Sequence, residues 1–553
     1  MTAKVAVVGA GHAGFEAALA AARLGCEVLV FALHIDSVGN MPCNPAIGGT
    51  AKGQIVREID ALGGEMGRAA DACGVQFRML NRGKGPAVRS PRSQTDRRKY
   101  SDYVRDTLEA HPNITLLQRE IASLRPLVDT LGVTYDVQAV VLASGTYLKG
   151  RVITGEHIRD GGPDGLQRAD ALSDTLADLG LRLRRFKTGT PPRLLRRSVD
   201  VSVMEEQPGE DDAVYFSFEN PNPPVSEELC WLTWTNERTH EVLKANLHRS
   251  PMYNGAIVGV GPRYCPSIED KVVRFADKAR HPLFIEPMGR QSSEIYLQGF
   301  SSSMPVEVQL DAIRTVNGLE NAVISRAAYA IEYDCADPLC LDSALMVRDT
   351  PGIFAAGQVC GSSGYEEAAC QGLVAGINAA RYVFGKAPLI LSRVSSYIGT
   401  LIDDLTTKGT EEPYRMMTSR SEYRMLLRHD NADRRLTAIG HEVGLISDER
   451  FEEFLRYEAA IAAGDASNPR ARYQLELEAM YAGYIRRQEQ LWKRVEKAEN
   501  RRIPIDFDYT AVKGLSHEAA QKLSAVRPLS LGQAGRISGV SPSDVTAIML
   551  KLR

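Results

Sequence analysis

The chain has 553 residues, 44% hydrophobic and 24% charged, with 66 basic against 69 acidic residues. That length predicts about three domains, and the composition excludes disordered, collagen-like and small disulfide-framework proteins. The near balance of charge makes no global case for a nucleic-acid partner, so only local clusters can make one.

Residues 4–8, KVAVV, read as a short apolar strand that runs directly into Gly9-Ala10-Gly11-His12-Ala13-Gly14. An alanine-rich helix is predicted from Phe15 to Leu24, closed by Gly25, and a second strand over Glu27–Phe31. Strand, GxGxxG and helix in this order form the fingerprint of dinucleotide binding. One glycine makes the turn, one lets backbone approach a pyrophosphate, and one lets helix pack on strand, while the helix N-terminus presents N–H donors. The acid expected near the end of the second strand, to hold a ribose, is missing. That stretch is Phe31-Ala32-Leu33-His34 and Asp36 comes late. A strand this close to the N-terminus leaves no room for a signal peptide. No apolar run approaches the roughly 20 residues that span a bilayer, so a soluble, cytoplasmic protein without membrane contact is expected.

Residues 41–53, MPCNPAIGGTAKG, place Cys43 between two prolines on a glycine-rich loop. The segment cannot be a regular helix or central strand, and Lys52 lacks the following Ser or Thr of a Walker loop. Cys43 is a candidate nucleophile if nearby cations or N–H donors lower its pKa; a buried structural thiol is the other reading. Residues 78–100 carry Arg78, Arg82, Lys84, Arg89, Arg92, Arg97, Arg98 and Lys99 against Asp96 alone. Such a segment suits phosphates, although a solvated loop would look the same.

Residues 138–146 read as a buried strand ending in a small-residue turn. From about 200 to 335 the βα pattern breaks, with strand-like pieces at Val214–Phe218 and Cys230–Trp234 and many prolines. An inserted domain is expected there. Cys265 lies in this region beside Pro266, with Arg263 and Lys271 near in sequence. Nine scattered cysteines without a CxxC pair argue for a reducing compartment. Cys26, Cys73 and Cys230 look like core filler. Cys335 and Cys340 lack partners for a zinc set, and no metal site is expected.

Residues 353–378 repeat the strand–glycine turn–helix theme, with small residues at Gly372, Ala375 and Gly376 that would let another backbone approach. Beyond about 395 the pattern is helical, notably 451–463 and 471–499. Before these, Ser419 reads as a helix cap, with Arg420, Arg424 and Arg428 at i, i+4, i+8 on one face, following Arg415. Internal salt bridges are the competing reading. Ser541-Pro542-Ser543-Asp544 is a helix start within a small docking module.

These pieces together resemble the GidA family of bacterial tRNA wobble-uridine modification flavoproteins. The resemblance covers nearly the whole chain, through GAGHAG (9–14), CNPAIGG (43–49), KTGTPPR (187–193), NLHRSPMY (246–253), GVGPRYCPSIEDK (259–271), GQVCGSSGYEEAACQGL (357–373), EPYRMMTSRSEYR (412–424) and GQAGRISGVSP (532–542). The segments after Ile121 and near 464–472 are shorter than is usual in the family. The resemblance implies an α/β, Rossmann-like FAD-binding domain of the glutathione-reductase type in two parts (1–200 and 341–395). It further implies an inserted α/β domain, NADH-binding, at 201–340, and a C-terminal all-helical domain at 396–553 for tRNA and for the GTPase MnmE. FAD contacts are implied at Gly9, Ala10, Gly11, His12, Ala13, Gly14, Ile121 and Gln358. Nicotinamide contacts are implied at Gly261, Pro262, Arg263, Tyr264, Pro266, Ser267, Ile268, Glu269, Asp270, Lys271 and Phe275. Functional thiols are implied at Cys43 and Cys265, and tRNA contacts fall among Arg415 and Arg424; Arg420 and Arg428 join them from the predicted arginine face.

The implied reaction adds an aminomethyl or carboxymethylaminomethyl group to carbon 5 of the wobble uridine in a tRNA anticodon loop. Methylene-tetrahydrofolate supplies the carbon, glycine or ammonium the amine, and NADH the reducing power. The implied assembly is a homodimer within a heterotetramer with MnmE. A thiolate adding at carbon 6 of uracil would make carbon 5 nucleophilic, and an unpaired anticodon base can be splayed into a pocket. The competing readings are a folate- and FAD-dependent tRNA uridine methyltransferase, a small-molecule flavin oxidoreductase, and a non-catalytic tRNA-binding protein descended from a flavoprotein. The methyltransferase would lack the helical C-terminal region and the EPYRMMTSR stretch.

Overall fold

The computed structural model describes residues 4–211, 213–220, 222–504 and 506–552. Its centre is a five-stranded parallel sheet in the order Ile353–Ala355, Ala139–Leu142, Lys4–Val8, Glu27–Ala32, Ile114–Gln118. These strands are short and mostly apolar, as strands buried on both faces must be. The helices His12–Arg23 and Tyr365–Val383 lie against one another beside it. Their closeness has a specific cause. A Cβ on Gly372 would fall 2.0 Å from the Ala13 carbonyl oxygen, and one on Gly376 would fall 2.3 Å from that of Ala17. The small residues read in the sequence are thus the contact surface between the two helices that follow the glycine turns.

A four-stranded antiparallel sheet, ordered His157–Asp160, Arg151–Thr154, Tyr329–Ala336, Leu183–Thr190, connects this layer to a second body. That body is a six-stranded antiparallel sheet ordered 205–207, 230–234, 282–287, 294–298, 193–195, 324–326. Its core is separate, built on Leu194, Trp231, Ile285, Ile295 and Leu297 with the helices Glu237–Ala245, Ile268–Arg274 and Val306–Ile313. The strand Arg193–Leu195 belongs to this sheet although it precedes residue 201. Cys230–Trp234 is a strand. Val214–Phe218 is not, because its backbone donors are satisfied by a carboxylate instead of a neighbouring strand: Phe216 N and Ser217 N each donate to Asp71 at 2.7 Å.

The C-terminal region holds the helices Ala432–Val443, Asp448–Ala462 and Pro469–Glu499. The last one starts on the side chain of Asn468, with Pro469 in its first turn. A small module follows, with its own core of Ile503, Tyr509, Leu523, Leu531 and Ile548. Ser541 and Asp544 form a reciprocal capping box at its final helix, Pro542–Lys551.

The predicted helix through Arg420, Arg424 and Arg428 does not form. Residues 418–420 make a single 3₁₀ turn and 421–427 are irregular. Partners distant in sequence hold this segment: Arg393 donates to Glu422 at 3.1 Å, Met425 N to Gln488 at 3.0 Å, and Arg428 to Gln474 at 3.0 Å. These contacts fix the backbone more strongly than local periodicity does.

Candidate active site

The C-terminal ends of the strands Lys4–Val8, Glu27–Ala32 and Ala139–Leu142 open into a cleft. This is where an open α/β sheet places its ligand. Gly9, at φ +107°, has no room for a side chain, since a Cβ would sit 2.2 Å from the Ala143 carbonyl oxygen. A Cβ on Gly14 would sit 1.8 Å from the Gly9 carbonyl oxygen, which explains the close fit of helix on strand. Gly11 differs from both: a Cβ there meets nothing within 4 Å. Its missing side chain leaves open space at the N-terminus of a twelve-residue helix that has no acid in its first turn. That is the cradle a phosphate requires. The buried Ser144 Oγ, on the facing turn, has no protein partner.

Ile121 and Gln358 line the same cleft, as do Gly9, Ala10, Gly11 and His12. Ala13 and Gly14 are buried behind it in the helix. The end of the second strand contributes Leu33, His34 and Ser37 to the lining, and Glu120 enters from the next strand's end. Asp36 is almost fully exposed and faces Arg105 at 3.6 Å, outside the cleft lining. Burial, reinforced by the charge of Lys52, pushes His12 down to about 3, so the imidazole is neutral.

One side chain joins this cleft to the cysteine loop. Tyr365 stacks on His12 with ring centroids 4.4 Å apart, and its hydroxyl accepts the Cys43 N–H at 2.7 Å. The Cys43 sulfur lies 3.3 Å from the hydroxyl of Tyr296 and 3.9 Å from the carbonyl oxygen of Gly189. Arg193 is fully buried and donates to the carbonyls of Pro42 at 2.5 Å and Cys43 at 3.2 Å. The thiol's environment corrects the expectation of a lowered pKa. Burial and the neighbouring Cys265 push Cys43 up, outweighing the Tyr296 hydrogen bond, the Arg193 charge and the Asn44 backbone, which act downward. In this geometry Cys43 rests as a neutral thiol. Cys265 is exposed, yet near enough to influence Cys43, Lys187 and Lys271. The other seven cysteines are buried and unpaired, Cys26, Cys73 and Cys230 among them.

The stretch from Gly261 to Phe275 divides in two. Arg263, Tyr264, Cys265 and Phe275 are exposed, and Gly261, Pro262 and Pro266 partly so. Ser267 caps the following helix by accepting Asp270 N. Ile268 and Glu269 are turned into the protein, Glu269 accepting Ser303 N at 3.2 Å. Lys271 donates to the Gly299 carbonyl at 2.8 Å, and Asp270 accepts from Tyr253 at 3.1 Å. The side chains of Ile268 and Glu269 thus face the interior, while the exposed part of the stretch is formed by Arg263, Tyr264, Cys265 and Phe275. Glu332 anchors the preceding loop by accepting Val258 N at 2.6 Å and Gly259 N at 2.5 Å.

The basic residues also divide. Arg428 is 2% exposed and bonds Asp430 at 2.9 Å, so it is a structural cation and not a nucleic-acid contact. Arg92 pairs with Glu286 at 2.6 Å and Arg78 with Glu210 at 3.6 Å, both across to the inserted body. Arg424 is exposed, and Arg415 and Arg420 are half-buried. Arg420 stacks on Tyr414 at 4.1 Å. Their loop is tied to the cysteine loop through a buried network. Lys52 Nζ contacts Glu366 at 2.8 Å and Glu367 at 3.3 Å; Glu366 accepts Gly48 N at 2.7 Å, and Glu367 accepts Met416 N at 3.0 Å. Sequence reading missed Tyr296, Tyr365 and this network. Tyr365, Glu366 and Glu367 sit inside a motif it quoted, whereas nothing local marks Tyr296.

The fold and site define a mixed α/β protein built on a parallel sheet, with a phosphate-ready glycine turn, a thiol beside it and a helical C-terminal bundle. Comparison with known proteins narrows that class. The family model "Glucose inhibited division protein A" matches residues 4–387, and "tRNA modifying enzyme MnmG/GidA C-terminal helical bundle" matches 492–553. The Caldicellulosiruptor saccharolyticus protein named "tRNA uridine 5-carboxymethylaminomethyl modification enzyme MnmG" is 51% identical over 611 aligned positions, covering 99% of this chain and 97% of that one. The Bacillus subtilis protein of the same name is 48% identical at the same coverage, 99% and 97%. The crystal structure of Aquifex aeolicus GidA in its form II superposes with a TM-score of 0.95 at 42% identity, covering 100% of this chain and 98% of that one. The chain belongs to the GidA family.

Proposed function

We propose that this chain is a tRNA uridine 5-carboxymethylaminomethyl modification enzyme that works with FAD. The observation that carries the reading is the meeting of three features at one place. The open glycine turn at Gly11, the thiol of Cys43, and the loop bearing Arg415, Arg420 and Arg424 are joined by Tyr365 and the Lys52–Glu366–Glu367 network. A small-molecule oxidoreductase has no need of the arginine loop. A tRNA-binding scaffold has no need of an open cradle and a thiol.

The Gly9–Gly14 turn and the N-terminus of the helix His12–Arg23 would hold the FAD pyrophosphate, with Ser144 and the cleft lining around the rest. This completes a two-part flavin domain of the glutathione-reductase type. Bound flavin would supply redox chemistry beside the one-carbon transfer. NADH would approach the exposed face of 261–275 at Arg263, Tyr264 and Phe275. Arg415 and Arg424 would take anticodon-loop phosphates. A thiolate of Cys43 or Cys265 would add to carbon 6 of uracil, and carbon 5 would attack the methylene carbon of methylene-tetrahydrofolate; the carbon–nitrogen bond to folate then breaks as the C5 proton leaves, the amine bonds to the methylene carbon, and the thiolate departs from carbon 6, with no net change of oxidation state. Glycine or ammonium supplies the amine. We place the enzyme in the cytoplasm as a homodimer, assembled with the GTPase MnmE through the C-terminal module. Among the described residues no helix is long and apolar enough to cross a membrane.

Nucleoside mass spectrometry of tRNA from cells lacking this chain, with and without complementation, tests the reading. Loss and rescue of the carboxymethylaminomethyl-type wobble uridine is the expected result. Its persistence alongside loss of T-loop methyluridine would replace the reading with a methyltransferase.

A further inference from the structure

Tyr296 reaches Cys43 from the inserted body, and none of the roles above uses it. We propose that Tyr296 is a positioning residue for the Cys43 thiol, its hydroxyl donating to the sulfur and its ring held in place by Arg193. The proposal rests on Cys43 serving as a reactive thiol.

The geometry supports the donor assignment. The thiol carries one hydrogen, and the Gly189 carbonyl oxygen at 3.9 Å offers it an acceptor. The hydroxyl of Tyr296 at 3.3 Å then has the sulfur lone pairs before it. Burial keeps this phenol protonated far above its ordinary range, so it is available as a donor at every working pH. The ring is 1% exposed in the strand Glu294–Gln298, with backbone pairing to Glu286 on one side and Arg193 on the other. The guanidinium of Arg193 lies 5.2 Å from the centroid of the Tyr296 ring. The same guanidinium bonds Thr190 Oγ1 at 2.8 Å and the carbonyls of Pro191, Pro42 and Cys43. One buried cation therefore fixes the tyrosine and the cysteine loop relative to each other.

The titratable and charged groups facing Cys43 are Cys265, Tyr296, Tyr329, Tyr365 and Arg193. Of the three tyrosines, Tyr296 is the one within hydrogen-bonding distance of the sulfur, since Tyr365 receives the Cys43 backbone N–H. A hydroxyl that donates to sulfur stabilises a thiolate more than a thiol, so it eases the ionisation that burial opposes. It also orients the sulfur, which must line up with the carbon it attacks.

The test is the pH–rate profile of iodoacetamide alkylation at Cys43, followed by peptide mass spectrometry on FAD-loaded full chain carrying Cys265→Ser. Tyr296→Phe should move the midpoint to higher pH and slow alkylation about tenfold below it, one unit of pKa corresponding to a tenfold change in thiolate. Replacing Tyr296 with 3,5-difluorotyrosine, a more acidic and stronger donor, should move the midpoint to lower pH. That variant decides the question alone if the phenylalanine variant does not fold. Superimposable profiles in the folded variants would overturn the proposal. A shifted profile, with Cys43→Ser retaining full tRNA modification, would uphold the Tyr296 coupling and remove Cys43 from the reaction above.

Discussion

Gly11 and Gly372 share a residue type and have opposite reasons for it. A Cβ at Gly372 would meet the Ala13 carbonyl oxygen at 2.0 Å, whereas one at Gly11 meets nothing within 4 Å. Gly372→Ala must push two packed helices apart, at a cost of about 1–3 kcal/mol, and should lower the melting temperature of the apoprotein. Gly11→Ala should leave the apoprotein's stability within about 0.5 kcal/mol of the parent and, on the proposed FAD reading, still abolish FAD retention, because its methyl occupies the space a phosphate needs. Thermal melts beside the flavin absorbance of purified protein separate the two. Stoichiometric FAD in Gly11→Ala would place the pyrophosphate elsewhere. A neighbouring carboxyl makes a pH prediction. Glu16 is fully buried and accepts Glu65 N at 3.0 Å and Met66 N at 2.7 Å. Burial pushes it up from 4.5 to about 8. The folded state then holds a proton that the unfolded state has released. This contribution to stability is complete below about pH 4.5 and is lost as pH rises through about 8. Glu16→Gln keeps an acceptor for both N–H groups and should flatten the fall in melting temperature across that window; an unchanged slope would refute the assignment.

At the scale of elements, the arginine loop shows why some of the site was legible in sequence and some was not. The glycine turns could be read because their chemistry is local: each works within one strand–turn–helix unit. The helix through Arg420, Arg424 and Arg428 could not, because Arg393, Gln488 and Gln474 fix that backbone from positions remote in sequence. Tyr296 was hidden for the same reason, as only the pairing of its strand brings it to Cys43. The loop also yields a contrast between two arginines four residues apart. Arg428→Ala leaves Asp430 buried without its cation, which should cost about 3–5 kcal/mol of stability. Arg424→Ala, at an exposed position, should leave stability within about 0.5 kcal/mol. It should weaken tRNA binding and reduce the slope of log affinity against log salt by about 1. Filter-binding titrations at several salt concentrations give that slope. An unchanged slope would remove Arg424 from the phosphate contacts.

Across the whole molecule, the C-terminal module is joined to the body by a charge cluster as well as by apolar packing. Arg536, in the module, donates to Asp403 at 2.7 and 3.0 Å and also pairs with Glu499 at the end of the long helix. Asp403 receives Arg393 at 2.7 Å from the body, and Gln533 adds bonds to Asp403 at 3.2 Å and Ser343 at 3.0 Å. Flanked by two guanidiniums, Asp403 is held below the usual carboxylate range despite its burial. Its contribution is therefore present at neutral pH and is lost only in acid. The module also has a core of its own, so breaking the cluster should release it while leaving it folded. Arg536→Ala leaves Asp403 paired with Arg393 and removes the guanidinium that Glu499 pairs with across the junction, where Ser530 Oγ still donates to Glu499 at 3.1 Å. Limited proteolysis at neutral pH should then cut faster at the junction just after Glu499, while the rest of the chain keeps its melting temperature. Because Arg393 also donates to Glu422 at 3.1 Å, the arginine loop shares this cluster with the module. A partner docking on the module would act on the same charges that hold the loop. Arg536→Ala should therefore also weaken tRNA binding by a few-fold, although residue 536 lies outside that loop. Unchanged proteolysis would mean that apolar packing alone docks the module. Faster proteolysis with unchanged tRNA affinity would mean that the cluster anchors the module without coupling it to the loop.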